Sequence, residues 1–196
     1  LYPEGYNEGP LAGMEGKVIN GVFELDGQRF ICLDGGPNVF EFNPSISFFV
    51  NCKTAEEVDT YYKKLVEGGS VLMELDKYPF SDRYAWISDK FGLSWQLSVG
   101  ESEQLTSPAF LFVGEQFGKV EEAINYYVSV FKDSKINTIS RYGEEGGDQK
   151  GKVNYSSFAL SGQEFVAMES NMKEHQFKMD NCAVSFTVNC ADQEEV

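Results

Sequence analysis

The sequence predicts an α+β fold in which βαβββ modules pair into cupped mixed sheets with the helices outside, and in which this plan is duplicated. The first observation is an internal repeat, since residues 16–34 match 151–169 and residues 47–58 match 185–196. The second is that apolar strand-like runs surround two segments with helical periodicity. One complete period is therefore β-α-β-β-β followed by β-α-β-β-β.

A β-hairpin opens each copy of the repeat. Asp26-Gly27 lies between two apolar runs and can adopt the positive φ angles of a tight turn, and Ser161-Gly162 occupies the same place in the second copy. The offset is 151 − 16 = 135 residues here and 196 − 58 = 138 residues later. Three inserted residues between Glu169 and Ala183 account for the difference.

A strand and then a helix follow each hairpin. The run ISFFVNC is rich in β-branched and aromatic residues, as a buried strand is. Thr54 and Glu57 have the spacing of a capping box, and Asp192 with Glu195 repeats it. The first helix is expected to end at Gly68-Gly69, and its apolar stripe comprises Val58, Tyr61, Tyr62 and Leu65.

The remaining runs complete two modules. SVLMEL, YAWISD and LSWQLSV read as strands that end a module spanning about 45–99, and PAFLFVGEQ begins one spanning 108–169, with a helix over 119–132. Copy A (1–101) is then expected to lack its opening βαβ, and copy B (106–196) its closing αβββ. Because one helical turn is not stable alone, we expect the chain to be part of a longer polypeptide.

Composition restricts the partners. The formal net charge is −15, with 31 acidic and 16 basic residues, so nucleic acid and anionic membranes are not expected as partners. No apolar run is long enough to cross a bilayer, and the first residues lack the features of a signal peptide, which predicts a cytoplasmic protein. The four cysteines form no CxxC pair and are expected to be buried thiols, with disulfides or zinc as the alternative.

Several of these segments resemble the vicinal oxygen chelate superfamily, in particular its PhnB-like branch, related to glyoxalase and bleomycin-resistance proteins. The resemblance depends on VEEAINYYVSVFKDSK, on YPFSDRYAWISDKFGLSWQ, on the two Gly-Gln pairs and on the run from Ser47 to Cys52. It implies an eight-stranded cup with a small molecule inside. Proteins of this branch are often labelled 3-demethylubiquinone-9 3-methyltransferases, but no strand here precedes a GxGxG-type loop that would hold a methyl-donor nucleotide.

The resemblance also directs attention to candidate ligand-binding residues. Gln96 stands where the family has a glutamate in its closing strand, and strand alternation puts Ser94 on the same face, towards the cup, with Trp95 on the opposite face. A glutamine here would donate hydrogen bonds to a ligand. The preceding strand offers aromatic walls that could equally be core, and the single histidine could act as acid, base, ligand or none of these. The candidates are Gln96, Ser94, Trp86, Tyr84 and His175.

Many members of the superfamily hold a divalent metal through His, Gln or Glu, and the metal acts as a Lewis acid. Here Glu169 and Asp34 stand at equivalent strand ends, where the resemblance implies an acidic ligand or base; a solvated strand end is the alternative. With one histidine in the chain, a three-histidine site is excluded within it. A divalent metal therefore remains an expected cofactor of a carboxylate-rich site.

Three functions are compatible with these residues. The first is a metal-dependent enzyme acting on a small oxygen-rich substrate, in the lyase, isomerase or dioxygenase classes of glyoxalase-like proteins. The second is a non-catalytic protein that sequesters a small ligand, as bleomycin-resistance proteins do, and an interaction module without a ligand is a third. Because exposed strand edges recruit other strands, a homodimer is a further expectation.

Overall fold

The structure is a computed structural model that describes residues 1–4, 12–34, 40–173, 175, 177 and 182–194. In this part of the chain, strands and helices alternate much as the sequence predicts. A hairpin comes first, and two βαβββ modules follow it. The elements are β1 Asn20–Leu25, β2 Gln28–Leu33, β3 Ile46–Cys52, α1 Ala55–Leu65, β4 Ser70–Tyr78, β5 Ser81–Ser88, β6 Ser94–Val99, β7 Thr106–Phe112, α2 Val120–Val130, β8 Lys135–Arg141, β9 Val153–Leu160 and β10 Gln163–Glu169.

The two modules form one mixed sheet of eight strands in the order β4-β5-β6-β3-β7-β10-β9-β8. Within each module the first strand runs parallel to the last, as β3 does to β6 and β7 to β10. The modules join where β3 and β7 pair antiparallel, with Phe48 opposite Pro108. This arrangement confirms the predicted α+β class with paired βαβββ modules.

Both helices pack on one face of the sheet. Val58 of α1 contacts a cluster that includes Val50 and Leu97, and Ile124 of α2 contacts a cluster that includes Phe158. All seven residues of β3 are buried, because β3 lies at the centre of the sheet and is covered on both faces. The other face of the sheet, which carries neither helix, is called the cup below.

The first helix begins where the sequence predicts. The Thr54 hydroxyl accepts a hydrogen bond from the Glu57 N–H at 3.2 Å, and the Glu57 carboxylate accepts one from the Lys53 N–H at 2.7 Å. In the second copy Asp192 accepts from the Glu194 N–H at 3.0 Å, whereas Glu195 lies outside the described residues. Side-chain capping of this kind stabilises a helix start because it satisfies N–H groups that have no partner inside the helix.

The two copies of the hairpin fold alike. Asp26 and Gly27 have φ angles of 48° and 79°, and Ser161 and Gly162 have 47° and 85°. The strand register is also the same, since Phe23 pairs with Phe30 as Phe158 pairs with Phe165. The duplication is therefore visible in backbone geometry as well as in sequence.

Aromatic packing repeats in the same way. The rings of Phe30 and Phe48 are 5.2 Å apart at 66°, and those of Phe165 and Phe186, their equivalents in the second copy, are 5.6 Å apart at 67°. Two further equivalent residues meet each other, because the Gln28 amide donates to the Gln163 side-chain oxygen at 3.1 Å. The eight-stranded sheet contains four strands of predicted copy A (β3–β6) and four strands of predicted copy B (β7–β10). The division of the chain into these copies stays a prediction.

Some local expectations differ from the structure. Residues 184–190 are the counterpart of β3 in the second copy, but they form no strand in the structure. The N–H of the preceding residue, Ala183, donates to the Glu41 carbonyl at 3.0 Å. Cys52 is buried, but Cys32 is exposed because β2 belongs to the separate hairpin, so the prediction of a buried thiol is wrong for Cys32. No described helix is long and apolar enough to cross a membrane.

Candidate functional site

Aromatic and apolar side chains from both modules line the cup. They come together because successive side chains of a strand point to opposite faces, so that one face of each strand packs under the helices and the other lines the cup. The buried members are Phe49, Tyr84, Trp86, Ala109, Leu111, Val113 and Val166, with Met73, Tyr78, Tyr155, Met168 and Phe177 packed against them.

A hydrogen-bonded relay crosses three strands at the centre of this lining. The Tyr84 hydroxyl donates to the Gln96 side-chain oxygen at 2.7 Å, and the Gln96 amide nitrogen donates to the Ser47 hydroxyl at 2.8 Å. Only 2% of Gln96 is exposed. The two bonds hold the amide in one orientation, with its oxygen towards β5 and its nitrogen towards β3.

A second polar pair lies beside the relay on β5 and β6, two residues along each strand from Tyr84 and Gln96. The Trp86 indole nitrogen donates to the Ser94 hydroxyl at 2.8 Å, and both residues are buried. The Trp86 ring also contacts His175 edge-on at 5.5 Å, and the His175 Nδ1 lies 2.9 Å from the Ser170 hydroxyl. Buried polar groups that are satisfied by one another make a rigid floor.

The structure thus brings all five candidate ligand-binding residues into one cluster. Tyr84 and Trp86 come from β5, Ser94 and Gln96 from β6, and His175 from the segment after β10. The contact of His175 with Trp86 was not evident in the sequence, because His175 is far along the chain from β5. That these residues bind a ligand stays a prediction.

Ring packing and burial keep Tyr84 neutral. Phe80 and Tyr78 contact its ring edge-on at 5.0 and 5.5 Å. Burial raises the pKa of Tyr84 well above its ordinary value, and the neighbouring Tyr78 adds to this effect. Tyr84 therefore acts as a hydrogen-bond donor and not as a base at neutral pH.

The candidate metal ligands have different surroundings. Glu169 is 2% exposed, and its carboxylate accepts hydrogen bonds from the Val153 N–H at 2.6 Å and from the Gly118 N–H. Its negative charge also contributes, after burial, to a raised pKa of Tyr142. Asp34 is exposed at the end of the separate hairpin.

These residues do not fit a divalent cation. Both oxygens of Glu169 already accept backbone hydrogen bonds, so the carboxylate anchors the start of β9 to the turn before α2. Around Gln96 the cup presents hydroxyl, aromatic and aliphatic side chains, which are poor ligands for a divalent metal. No group of three His, Cys, Asp or Glu side chains suited to a metal occurs among the residues that the structure describes.

Sequence reasoning missed three residues of this face. Ser47 completes the relay, Tyr155 packs edge-on against Phe49 at 6.2 Å, and the Glu164 carboxylate accepts from the Ser102 hydroxyl at 2.5 Å. Burial and then the charge of Glu164 raise the pKa of Tyr155. Strand alternation could have found Glu164, since it shares a face with Val166 as Ser94 does with Gln96.

Several solved structures are similar to parts of this chain. A putative 3-demethylubiquinone-9 3-methyltransferase, PhnB protein, from Bacillus cereus is 44% identical over 50% of this chain and 74% of its own, with a TM-score of 0.45. Glyoxalase I from Zea mays is 15% identical over 63% of this chain and 41% of its own (TM-score 0.41). A glyoxalase/bleomycin resistance protein/dioxygenase superfamily member from Vibrio splendidus is 11% identical over 63% and 96% (TM-score 0.36).

No curated protein matches the chain. The family model described as 3-demethylubiquinone-9 3-methyltransferase matches twice, over residues 4–98 and 105–196, which is nearly the whole chain. The two matches follow the internal repeat and agree with the resemblance to the PhnB-like branch. The chain therefore belongs to the 3-demethylubiquinone-9 3-methyltransferase (PhnB) family.

Proposed function

We propose that this chain binds a small molecule in the cup and does so without chemistry. The observation that carries the proposal is the relay of Ser47, Gln96 and Tyr84 set among aromatic rings, a floor of neutral polar groups in an apolar lining. Binding sites for small molecules typically combine such a lining with a few fixed polar groups. The lone pairs of Gln96 and Tyr84 that the relay leaves unused can accept hydrogen bonds from a ligand.

The same residues favour binding over catalysis. A general acid or base works best with a pKa near the operating pH. Amide and hydroxyl groups do not ionise near neutrality, and the pKa of Tyr84 is raised further. His175 is the exception among the five candidates, but its ring packs on Trp86 and its Nδ1 contacts Ser170. A metal-dependent reaction lacks support because the donors near Gln96 do not fit a metal.

The name of the family describes methyl transfer, which we do not propose for this chain. A methyl-donor nucleotide is typically held at a glycine-rich turn after a parallel strand. Here the sheet is mixed, and the hydrogen-bonding groups of the cup lie in mid-strand on β3, β5 and β6. These positions suit a guest enclosed by the sheet.

A ligand has to enter between rings that touch each other. Trp86 contacts both His175 and Phe177, and the rings of His175 and Phe177 stack at 5.7 Å. A planar apolar guest would replace the contacts of His175 and Phe177 with Trp86. Fluorescence of Trp86 should therefore report binding directly.

The experiment uses the two tryptophans of the chain separately. Trp95 lies on the opposite face of β6, where its indole donates to Asp89 at 3.0 Å. In a Trp95→Phe variant, titration with 2-phenylethanol should change the emission of Trp86, whereas the matched Trp86→Phe variant should show no change. Adding Gln96→Leu to the Trp95→Phe variant should weaken binding about tenfold, since a hydrogen bond is lost. Equal responses of Trp86 and Trp95, or none from either, would exclude the proposed site.

A further inference from the structure

Glu164 is exceptional among the cup-facing side chains of the four central strands. The four central strands, β6, β3, β7 and β10, are described in full, and alternation assigns three residues of each to this face. Eleven of these twelve side chains cannot ionise, and the twelfth is a carboxylate. They are Ser94, Gln96 and Ser98; Ser47, Phe49 and Asn51; Ser107, Ala109 and Leu111; and Glu164, Val166 and Met168.

Within the described part of the chain, the Glu164 carboxylate is hydrogen-bonded but forms no ion pair. It is half-buried and accepts a hydrogen bond from the Ser102 hydroxyl at 2.5 Å, while its own N–H donates to Gln104 at 2.9 Å. The ion pairs of the described residues do not include Glu164. Lys53, which donates to the Ser102 carbonyl, is paired with Glu103 instead. A half-buried carboxylate that is hydrogen-bonded but not ion-paired can gain a further interaction from a ligand that supplies a positive charge.

Glu164 lies on β10 next to β9, the strand that carries Tyr155, and Tyr155 leads from there to the aromatic lining of the cup. Its charge acts on the Tyr155 phenol, and the Tyr155 ring packs against Phe49 at 6.2 Å. Phe49 in turn belongs to the same cluster as Trp86. A positive charge between Tyr155 and Glu164 would gain both a Coulomb attraction and a cation–π contact, which are stronger in a partly desolvated site than in water.

We infer that Glu164, together with Tyr155, recognises the positive charge of an organic ammonium ligand whose apolar part lies in the aromatic cup. This inference rests on the proposed function and names the class of ligand. The net charge of −15 acts in the same direction, because it attracts cations and repels anions. Carboxylate ligands are accordingly expected to be excluded.

The test uses three probes that share a phenyl ring and differ in charge: 2-phenylethylamine, protonated at pH 7, 2-phenylethanol, and 3-phenylpropionate. Dissociation constants are measured by calorimetry on the full chain. The amine is expected to bind about tenfold more tightly than the alcohol, and the propionate more weakly than both. In Glu164→Gln the affinity for the amine should fall to that for the alcohol, whose affinity should not change.

Glu122→Gln is the matched control, since it removes one charge from the exposed outer face of α2. It should leave all three affinities within about twofold of the wild type. Equal affinity for amine and alcohol in the wild type, or equal effects of the two substitutions, would overturn the inference while leaving the proposed function intact. Absence of binding by all three probes would overturn both. The alcohol also serves as the folding check, because a misfolded variant would lose its affinity for the alcohol too.

Discussion

Replacement of Glu169 by alanine should destabilise the fold strongly without any involvement of metal. The carboxylate is almost fully buried and accepts hydrogen bonds from the N–H groups of Val153 and Gly118. Its removal leaves two backbone donors without partners in a buried place, and each such donor costs about 1–3 kcal/mol. The expected loss in the free energy of unfolding is therefore about 2–6 kcal/mol.

Urea denaturation measures this loss, with Glu169→Gln as the graded comparison. Glutamine keeps one acceptor oxygen and the shape of the side chain, so about half of the loss is expected. Asp34→Asn is the control at the equivalent position of the exposed hairpin end and should change stability by less than about 0.5 kcal/mol. A loss below about 1 kcal/mol in Glu169→Ala would refute the reasoning. So would a thermal midpoint that rises with added Mn²⁺ or Zn²⁺ in the wild type but not in Glu169→Ala.

Three further predictions concern the cysteine thiols, a close backbone approach at Gly69 and the buried hydroxyl of Tyr84. Burial, and then the charge of Glu57, raise the pKa of Cys52 to about 12. At pH 8 iodoacetamide should therefore label the exposed Cys32 and leave Cys52 unlabelled. Equal labelling of the two cysteines in mass spectrometry would contradict the buried position of Cys52. Gly69→Ala would make a Cβ clash with the Ser88 carbonyl oxygen and should cost more than about 2 kcal/mol in urea denaturation, whereas Gly21→Ala, with open space around it, should cost little. Because folding raises the pKa of Tyr84 above its ordinary value of 10.0, the unfolded chain ionises first and stability should fall as pH rises above about 10. The decrease in the free energy of unfolding should be smaller in Tyr84→Phe. The same decrease in the variant and the wild type would contradict the buried position of the Tyr84 hydroxyl.

Local features of the fold could be predicted from the sequence because neighbouring residues determine them. The tight turn at Asp26-Gly27, the cap at Thr54 and the shared face of Ser94 and Gln96 depend on residues at most a few positions apart. The structure shows each of them. The internal repeat likewise predicted that equivalent segments fold alike, which is correct for the two hairpins but not for residues 184–190, which form no strand although β3 does.

Long-range pairing could not be predicted in the same way. The repeat shows which segments are equivalent, but it does not show which of them are partners, and the pairing of β3 with β7 joins segments from the two predicted copies. The interpretation of Glu169 as a metal ligand lacks support for a related reason. Its hydrogen-bond donors are backbone groups of Gly118 and Val153, and backbone partners leave no trace in side-chain identity.

Glu164 is a different case, because the signal was present in the sequence. Alternation along β10 assigns it to the same face as Val166 and Met168. Asp34 and Glu169 stand at or just after the ends of their strands, where the resemblance implies an acidic ligand, whereas Glu164 lies near the start of β10. The contact between His175 and Trp86 had no such signal, since it depends on the path of the chain after β10.

The most direct test of the central claim, that the cup holds a small guest on the relay of Gln96, is a nuclear magnetic resonance titration of the ¹⁵N-labelled chain with 2-phenylethanol. The side-chain amide of Gln96 and the indole N–H of Trp86 should shift together with one dissociation constant, because both lie on the cup face. The indole N–H of Trp95, bonded to Asp89 on the helix face, should stay in place. Shifts of Trp95 without shifts of Gln96 and Trp86 would contradict the claim.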